Sequence, residues 1–200
     1  MVAPAPLVAD PMVAVPLLEE RRRSGLDRYD EVWDGRYIFM PLPGTQHQRF
    51  VSRLNSRLDA AAQEVGGESF PGLNVSNRAD DWTKNYRCPD VAVFLPGNPA
   101  EDRGSHHFGG PDLAVEILSV GDLALEKLPF YAAVGVRELW VLDRDPWRLS
   151  RFTLTGGELR EDGAAEPGGA AVRSGVLPLD WSLEAGDPPG VRIVAAGGGA

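Results

Sequence analysis

The spacing of apolar residues along the chain predicts one clear amphipathic helix. Its apolar positions recur three and four residues apart, as one face of a helix requires, and they are Phe50, Val51, Leu54, Leu58, Ala61, Ala62 and Val65. Thr45 is the expected N-cap and Gly66 is the expected end. We therefore expect a helix over residues 46–65.

Shorter apolar runs predict the strands of a sheet. The expected strands cover residues 91–95, 113–118 and 138–143, with one hairpin around Asp34-Gly35 and another across residues 147–154 and 158–160. A second helix is expected over residues 122–134, with its end at Gly135. This order of elements is typical of an α/β (α+β) fold in which a mixed central sheet is flanked by helices.

The two ends of the chain differ in composition from its middle. Residues 1–24 are rich in Pro, Ala and Val and predict a flexible lead-in, and residues 186–200 predict a flexible tail. Residues 25–185 are expected to form a single domain, because 200 residues suffice for one well-buried core. The start of the chain does not have the pattern of a secretory signal. No apolar stretch approaches the roughly 20 residues of a membrane span.

The charge and cysteine content narrow the functional classes. One cysteine, Cys88, excludes an internal disulfide framework, and we expect a cytoplasmic protein without membrane association. The chain has 20 basic and 29 acidic side chains and a formal net charge of −9. Proteins that bind a polyanion through many phosphate contacts usually carry a basic surface. The charge therefore weighs against nucleic-acid binding.

Two acidic residues stand in otherwise apolar strands. Glu116 shares one side of its expected strand with Ala114 and Leu118, and Asp90 opens the preceding strand. A buried carboxylate needs a partner or a metal ion, and carboxylate pairs suit Mg²⁺ or Mn²⁺. Alternatively, Glu116 could face water on an edge strand or pair with an arginine, and Asp90 could be a turn or cap residue.

A lysine on the second expected helix adds a third candidate. Lys127 shares a helix face with Tyr131, and it could reach back over the end of the Glu116 strand. Phosphodiester hydrolysis requires a metal-activated water and a cation near the developing charge. The alternative is an exposed lysine that pairs with Glu126 or Asp122.

Several ordered segments together resemble the Uma (Uma-two) family of restriction-endonuclease-like proteins, which has the PD-(D/E)xK nuclease fold. The resemblance covers about residues 29–182, and its matching pieces are residues 30–35, 41–43, 47–48, 87–94, 111–119, 122 and 126–143. It implies a restriction-endonuclease-like core in which Asp90 and Glu116 are the metal-binding and catalytic acids.

The resemblance also implies that the motif lysine has moved. Its usual place, two residues after the acid, is occupied by Leu118, and Lys127 is the implied substitute. The chain departs from the family at Val120, where a proline is usual, and at residues 123–125, where a basic or polar residue is common. Both departures affect the loop beside the site.

Two further residues are candidates for catalytic or orienting roles. The fold commonly places such a residue on its first helix, which makes His47 a candidate, and Glu31 matches a motif acid of the family. His47 could also be a half-buried histidine, and Glu31 could support the tight turn that follows it. His106 and His107 are adjacent and are expected to point in different directions, so they do not predict a shared metal site.

These observations leave three functions open. The first is an endonuclease that hydrolyses DNA with Mg²⁺ or Mn²⁺ on Asp90 and Glu116 and with Lys127 stabilising the transition state. The second is a non-catalytic binding or regulatory module on the same fold, which the acidic charge and the altered loop favour. The third is a metal-dependent hydrolase of a smaller phosphorylated substrate. A homodimer is expected by analogy with nucleases in which two active sites cut two strands.

Overall fold

The computed structural model describes residues 7–8, 11–119 and 123–197. Its helices are α1 (Pro11–Ser24), α2 (Thr45–Glu64) and α3 (Leu128–Ala133), and short 3-10 turns cover Trp82–Lys84 and Ala124–Lys127. The first eight strands are β1 (Leu7–Val8), β2 (Glu31–Trp33), β3 (Arg36–Ile38), β4 (Glu68–Pro71), β5 (Val75–Ser76), β6 (Tyr86–Arg87), β7 (Val91–Phe94) and β8 (Glu101–Asp102). The others are β9 (His107–Phe108), β10 (Leu113–Ile117), β11 (Glu138–Arg144), β12 (Trp147–Thr155), β13 (Glu158–Ala165), β14 (Val172–Arg173), β15 (Leu179–Glu184) and β16 (Gly190–Ala195).

A six-stranded sheet in the order β13-β12-β11-β10-β7-β4 forms the centre of the fold. Strands β10 and β11 are parallel, while the other neighbours are antiparallel. A parallel pair needs a crossover connection, and the segment with α3 supplies it. The expected mixed sheet flanked by helices is therefore confirmed. Two smaller sheets accompany it, with strand orders β1-β3-β2-β6-β5-β9-β8 and β14-β15-β16.

The side chains of β10 separate the core into two halves. Leu113, Val115 and Ile117 face α2 and the three-stranded sheet, where Trp140 and Trp181 stack with ring centroids 4.4 Å apart. Ala114 lies in the other half, with α3. Successive strand residues point to opposite faces, so Glu116 points into the α3 half. This alternation places the acid beneath the helix that follows its strand.

Helix α2 ends in a Schellman motif (a paired set of hydrogen bonds after the last helical turn). Gly66 has a φ of 80°, which a residue without Cβ adopts freely, and its N–H donates to Gln63 O. The Gly67 N–H donates to Ala62 O, which completes the motif. Gly66 thus ends the helix as the sequence predicted.

Alanine at Gly67 should destabilise the protein by about 1–3 kcal/mol, as overpacking usually does. An added Cβ would lie 2.5 Å from Phe94 O, and this oxygen belongs to a buried strand of the central sheet. We expect the midpoint of thermal unfolding to fall by ~2–12 °C. Gly190→Ala is the matched control, because its Cβ would meet only the Glu184 side chain at 3.6 Å. Equal unfolding temperatures for the two variants would contradict the expected clash.

The structure corrects several expected boundaries. Helix α2 covers Thr45–Glu64, one residue earlier at each end than expected, and its N-cap is Gly44 rather than Thr45. The second helix was expected over residues 122–134, but its described part begins as the 3-10 turn Ala124–Lys127 and becomes α-helical only at Leu128. Pro129 explains this break, because proline has no N–H to donate within a helix and is best placed in its first turn.

Both ends of the chain contain regular secondary structure. Residues 11–24 form α1, and Arg21 in this helix donates to Asp30 Oδ1 over 2.6 Å. In the expected tail, β16 pairs with β15, where Ile193 lies opposite Trp181. The structure thus places regular elements within residues 11–24 and 190–195, and the flexible ends and the domain bounds 25–185 stay predictions. No helix among the described residues is long and apolar enough to cross a membrane.

Candidate active site

Glu116 is buried in the middle of the central sheet. Its strand β10 lies between β7 and β11, and the residue is only 4% exposed. The Lys127 Nζ donates to Glu116 Oε1 over 3.0 Å and to Oε2 over 3.2 Å, and the Tyr131 hydroxyl also donates to Oε1. Neither alternative considered for this residue, an edge position in water or an arginine partner, describes the structure.

Lys127 lies between two buried acids. It ends the 3-10 turn before α3, and its side chain is 2% exposed. Besides Glu116, its Nζ contacts Glu31 Oε1 at 2.9 Å. The alternative of an exposed lysine is therefore wrong. Because a cation buried in this way is costly without counter-charges, the lysine and the two acids form one electrostatic unit.

Glu31 is held rigidly on β2 by two further donors. Its Oε1 accepts the Cys88 backbone N–H over 2.9 Å, and its Oε2 accepts the Trp33 indole N–H over 2.6 Å. Both oxygens are therefore engaged and the side chain is 1% exposed. The contacts of Glu31 therefore hold the Lys127 ammonium group in place, in addition to bonding Trp33 beside the adjacent turn.

Asp90 lies beside Glu116, at the start of the neighbouring strand β7. The β7–β10 register pairs Val91 with Val115, so its antiparallel continuation sets Asp90 opposite Glu116. The Ile117 N–H donates to Asp90 Oδ2 over 2.7 Å, and His47 Nε2 lies 2.8 Å from Asp90 Oδ1. The structure thus gathers the five candidate residues into two hydrogen-bonded groups at one end of the β7–β10 pair. One group is His47 with Asp90, and the other is Lys127 with Glu31 and Glu116.

The electrostatics of this region favour an additional positive charge. Burial raises the pKa of Glu116 to about 8; Lys127 lowers that pKa, whereas the charges of Asp90 and Glu31 raise it. Burial also raises the pKa of Tyr131 well above its usual value, so its hydroxyl remains a hydrogen-bond donor at neutral pH. Three carboxyl groups thus act on one another around a single lysine.

The carboxylates match the chemistry of a hard divalent cation. Mg²⁺ is usually held by one or two carboxylates, with waters and substrate phosphates as its other ligands, and Asp90 and Glu116 supply two such groups from neighbouring strands. Among the described residues, no group of three or more His, Cys, Asp or Glu side chains is arranged to hold a metal ion. The donor set therefore fits a metal bound jointly with substrate rather than a closed protein cage.

Other contributors to the site were not assigned roles from the sequence. Tyr131 was noted only for sharing a helix face with Lys127, and that spacing was the available signal. Arg87 was not singled out, although it is buried with its Cζ 4.6 Å from the Trp33 ring centroid and 4.3 Å from that of Phe130. It thereby braces the strand that carries Glu31 against α3. Val120 and Asp122, two positions of the adjacent loop, lie outside the described residues.

His106 and His107 lie apart from this site and separately from each other. The His106 ring stacks on Trp82 with centroids 4.9 Å apart, while the His107 ring stacks on Phe94 with centroids 4.3 Å apart. The two rings thus pack on different aromatic partners, and they form no shared metal site among the described residues.

These two histidines should make the protein less stable in mild acid. Burial lowers the pKa of both rings below 6.5, so the unfolded chain binds protons first as the pH falls, and the free energy of unfolding decreases below about pH 6.5. We expect His107→Phe, which cannot be protonated there, to weaken this decrease. Thermal unfolding recorded between about pH 7.5 and pH 5 measures this loss of stability. If the unfolding temperature fell equally with pH in wild type and His107→Phe, His107 would not be a cause of the loss.

Comparisons with known proteins point to one family. A family model described as "Uma2: Putative restriction endonuclease" matches residues 18–186. Among solved structures, the chain is similar to one titled "Crystal structure of a putative nuclease belonging to DUF820 from Anabaena variabilis", with 20% sequence identity and a TM-score of 0.58 over 72% of this chain and 80% of that one. No curated protein gives a significant match. The structural similarity supports a shared fold.

Proposed function

Because the chain belongs to the Uma2 family of restriction-endonuclease-like proteins, we propose that it is a metal-dependent endonuclease that hydrolyses phosphodiester bonds of DNA. The observation that carries this proposal is the distance of 3.0 Å between Lys127 Nζ and Glu116 Oε1, beside Asp90 on the neighbouring strand. Two acids and a cation at one strand end are the groups that metal-assisted phosphodiester hydrolysis uses.

In this proposal Asp90 and Glu116 hold Mg²⁺ or Mn²⁺. The bound ion would supply an activated water and neutralise charge on the phosphate. The protein orients both acids in advance: the Ile117 N–H holds Asp90 Oδ2, and Tyr131 holds Glu116 Oε1. His47 contacts Asp90 Oδ1 and is assigned an orienting role for this carboxylate.

Lys127 stabilises the charge that develops on the phosphate in the transition state. Its ammonium group contacts Glu31 and Glu116 and would turn one of its N–H donors to a phosphate oxygen when substrate binds. Glu31 is assigned a positioning role, because its other contacts, Trp33 Nε1 and the Cys88 N–H, keep it in place. Burial excludes water and strengthens these charge interactions.

A cleavage assay with Asp90→Asn tests the proposal. The wild type should cut labelled single-stranded or duplex DNA with Mg²⁺ or Mn²⁺ and not in EDTA, and the variant should be at least ~100-fold slower, as loss of metal affinity implies. Asp80→Asn, an exposed position, is the matched control with the same chemical change. Unchanged cleavage by a folded Asp90→Asn protein would rule out the assigned metal site.

A non-catalytic binding or regulatory module is the second candidate, and the net charge of −9 favours it. Failure of the folded wild type to cut DNA or RNA with either metal, together with no thermal stabilisation by either metal, would replace the first proposal by this one. Turnover of a small phosphodiester without cleavage of DNA would instead indicate a hydrolase of smaller substrates.

The cellular setting and the assembly state complete the proposal. We place the protein in the cytoplasm, which is supported by a single cysteine, Cys88, that is buried and free. We also propose a homodimer, by analogy with nucleases in which two active sites cut the two strands of a duplex. Sedimentation of the purified protein with and without duplex DNA tests this assembly.

A further inference from the structure

One side of α2 is basic in a chain that is otherwise acidic. Arg49, Arg53 and Arg57 follow one another at intervals of four residues, and all three are exposed. From residue 45 to residue 58 the helix contains no Asp or Glu, although acids outnumber bases 29 to 20 in the whole chain. Like charges four residues apart on a helix repel one another. Local helix stability therefore does not account for this basic ridge, defined by the three arginines.

The basic ridge is not neutralised by the rest of the fold. Within the described part of the chain, none of its arginines forms an ion pair. Other exposed arginines do: Arg103, Arg160 and Arg173 pair with Glu101, Glu158 and Asp180 at 2.5 Å, 3.0 Å and 3.2 Å. The ridge thus leaves its guanidinium groups available to an external anion.

A groove with a volume of about 690 Å³ runs beside the basic ridge. Arg53 and Arg57 line it from α2, and Arg192 lines it from β16. The acid on its lining is Glu184, which lies 3.9 Å from Arg192. Three cations against one carboxylate leave the groove positively charged, and both of its walls contribute to that charge.

The basic ridge starts next to the candidate active site. His47, on the same helix, contacts Asp90 Oδ1 at 2.8 Å. Arg144 connects the two regions, because it donates to Leu118 O over 2.9 Å, just beyond the Glu116 strand, and to Gln46 Oε1 of α2 over 3.3 Å. A strand whose phosphate lies at the acids would therefore meet the beginning of the ridge.

We infer that the basic ridge binds the sugar-phosphate backbone of a nucleic-acid strand that continues from the active site; this inference rests on the proposed nuclease function. Helical rise separates successive ridge arginines by about 6 Å along the axis, which is similar to the distance between neighbouring phosphates of a strand. Guanidinium groups contact phosphates without reading the base sequence. Concentrating the basic charge in this strip allows an acidic protein to bind a polyanion.

Binding measured in EDTA tests the basic ridge independently of cleavage. Fluorescence anisotropy is recorded with short labelled single-stranded and duplex DNA for the wild type and for the triple variant Arg49→Gln/Arg53→Gln/Arg57→Gln. A second triple variant, Arg103→Gln/Arg160→Gln/Arg173→Gln, removes the same charge from other exposed positions and serves as the matched control. Thermal unfolding verifies that both variants are folded.

We expect the ridge variant to bind DNA at least ~10-fold more weakly than wild type at low salt, and the affinity of the control to change less than ~3-fold. Binding by the ridge variant should also release about 2–3 fewer counterions than binding by wild type, as measured from the salt dependence of the affinity. A loss confined to one DNA form identifies that form as the ligand. Equal losses in both variants, no loss in the ridge variant, no binding by the wild type, or equally tight binding of polyglutamate would each overturn the assignment.

Cleavage by the same proteins separates this inference from the proposed function. A wild type that binds DNA through the basic ridge but does not cut it with either metal would overturn the nuclease proposal and support the ridge assignment. A wild type that cuts DNA, with a ridge variant whose binding is unchanged, would overturn the ridge assignment alone.

Discussion

Lys127→Met should destabilise the protein by about 3–5 kcal/mol, because removing one partner of a buried ion pair leaves an uncompensated charge. Glu31 and Glu116 would then face each other without the cation that now contacts both. For a chain of this length we expect the midpoint of thermal unfolding to fall by ~6–20 °C. Cleavage of DNA should fall by roughly 10²–10³-fold, as expected for the loss of one group that stabilises transition-state charge.

Two companion variants separate the effects on stability and on catalysis. Lys84→Met removes an exposed lysine that pairs with Asp81, and such pairs contribute less than about 1 kcal/mol. Adding Glu31→Gln to Lys127→Met removes one of the two stranded charges, so it should recover part of the stability and none of the cleavage. Full stability of Lys127→Met alone would show that the lysine does not compensate the buried acids.

The sequence predicted the framework of this site better than its contacts. Apolar residues at helical spacing placed α2, and continuous apolar runs placed β7 and β10, to within a residue or two. Burial of one helix face, or of both faces of a strand, selects these local patterns directly. Contacts between distant segments leave no such local trace. Glu31 and Lys127 are 96 residues apart; the helix position suggested Lys127, and only the resemblance to a family added Glu31.

Two strand glutamates illustrate what the sequence pattern could not distinguish. Glu116 and Glu138 both lie in apolar strands and are both buried. Glu138 accepts hydrogen bonds from the Trp140 indole, the Ser174 hydroxyl and the Gly175 N–H. These three neutral donors satisfy both of its oxygens. Glu116 instead meets a lysine and lies opposite a second acid, and for this reason the proposed site includes Glu116 and not Glu138.

The helix and the strand at the chain ends were not predicted from the sequence for a related reason. Among the described side chains of α1, Leu18 is buried and packs on Phe39, and Arg21 pairs with Asp30. Both contacts depend on the position of β2 and β3 rather than on the composition of residues 11–24. Strand β16 likewise depends on its pairing with β15, which the glycines and prolines around it do not indicate.

Glu116→Gln and Glu138→Gln should have opposite effects: the first should lose cleavage and keep stability, and the second should lose stability and keep cleavage. Glutamine at position 116 keeps an oxygen for the Tyr131 hydroxyl and for Lys127, and Glu31 remains as the counter-charge of the lysine. The substitution also removes a costly buried carboxyl group, so the free energy of unfolding should stay within about 1 kcal/mol of wild type. It also removes the charge of a proposed metal ligand. Because a bound metal contributes several kcal/mol to transition-state stabilisation, cleavage should fall by roughly 10³-fold or more.

Glutamine at position 138 should do the opposite. Its amide group cannot accept the Gly175 N–H that Oε2 now accepts over 2.6 Å, and a buried donor left without an acceptor costs about 1–3 kcal/mol. Cleavage at a temperature where this variant is folded should remain near the wild-type rate, since Glu138 starts β11 opposite Leu113 rather than Glu116. Thermal unfolding and cleavage rates of the two proteins measure both quantities. If Glu116→Gln were active, or if it lost stability as Glu138→Gln does, Glu116 would be a structural residue and the site would have to be sought elsewhere.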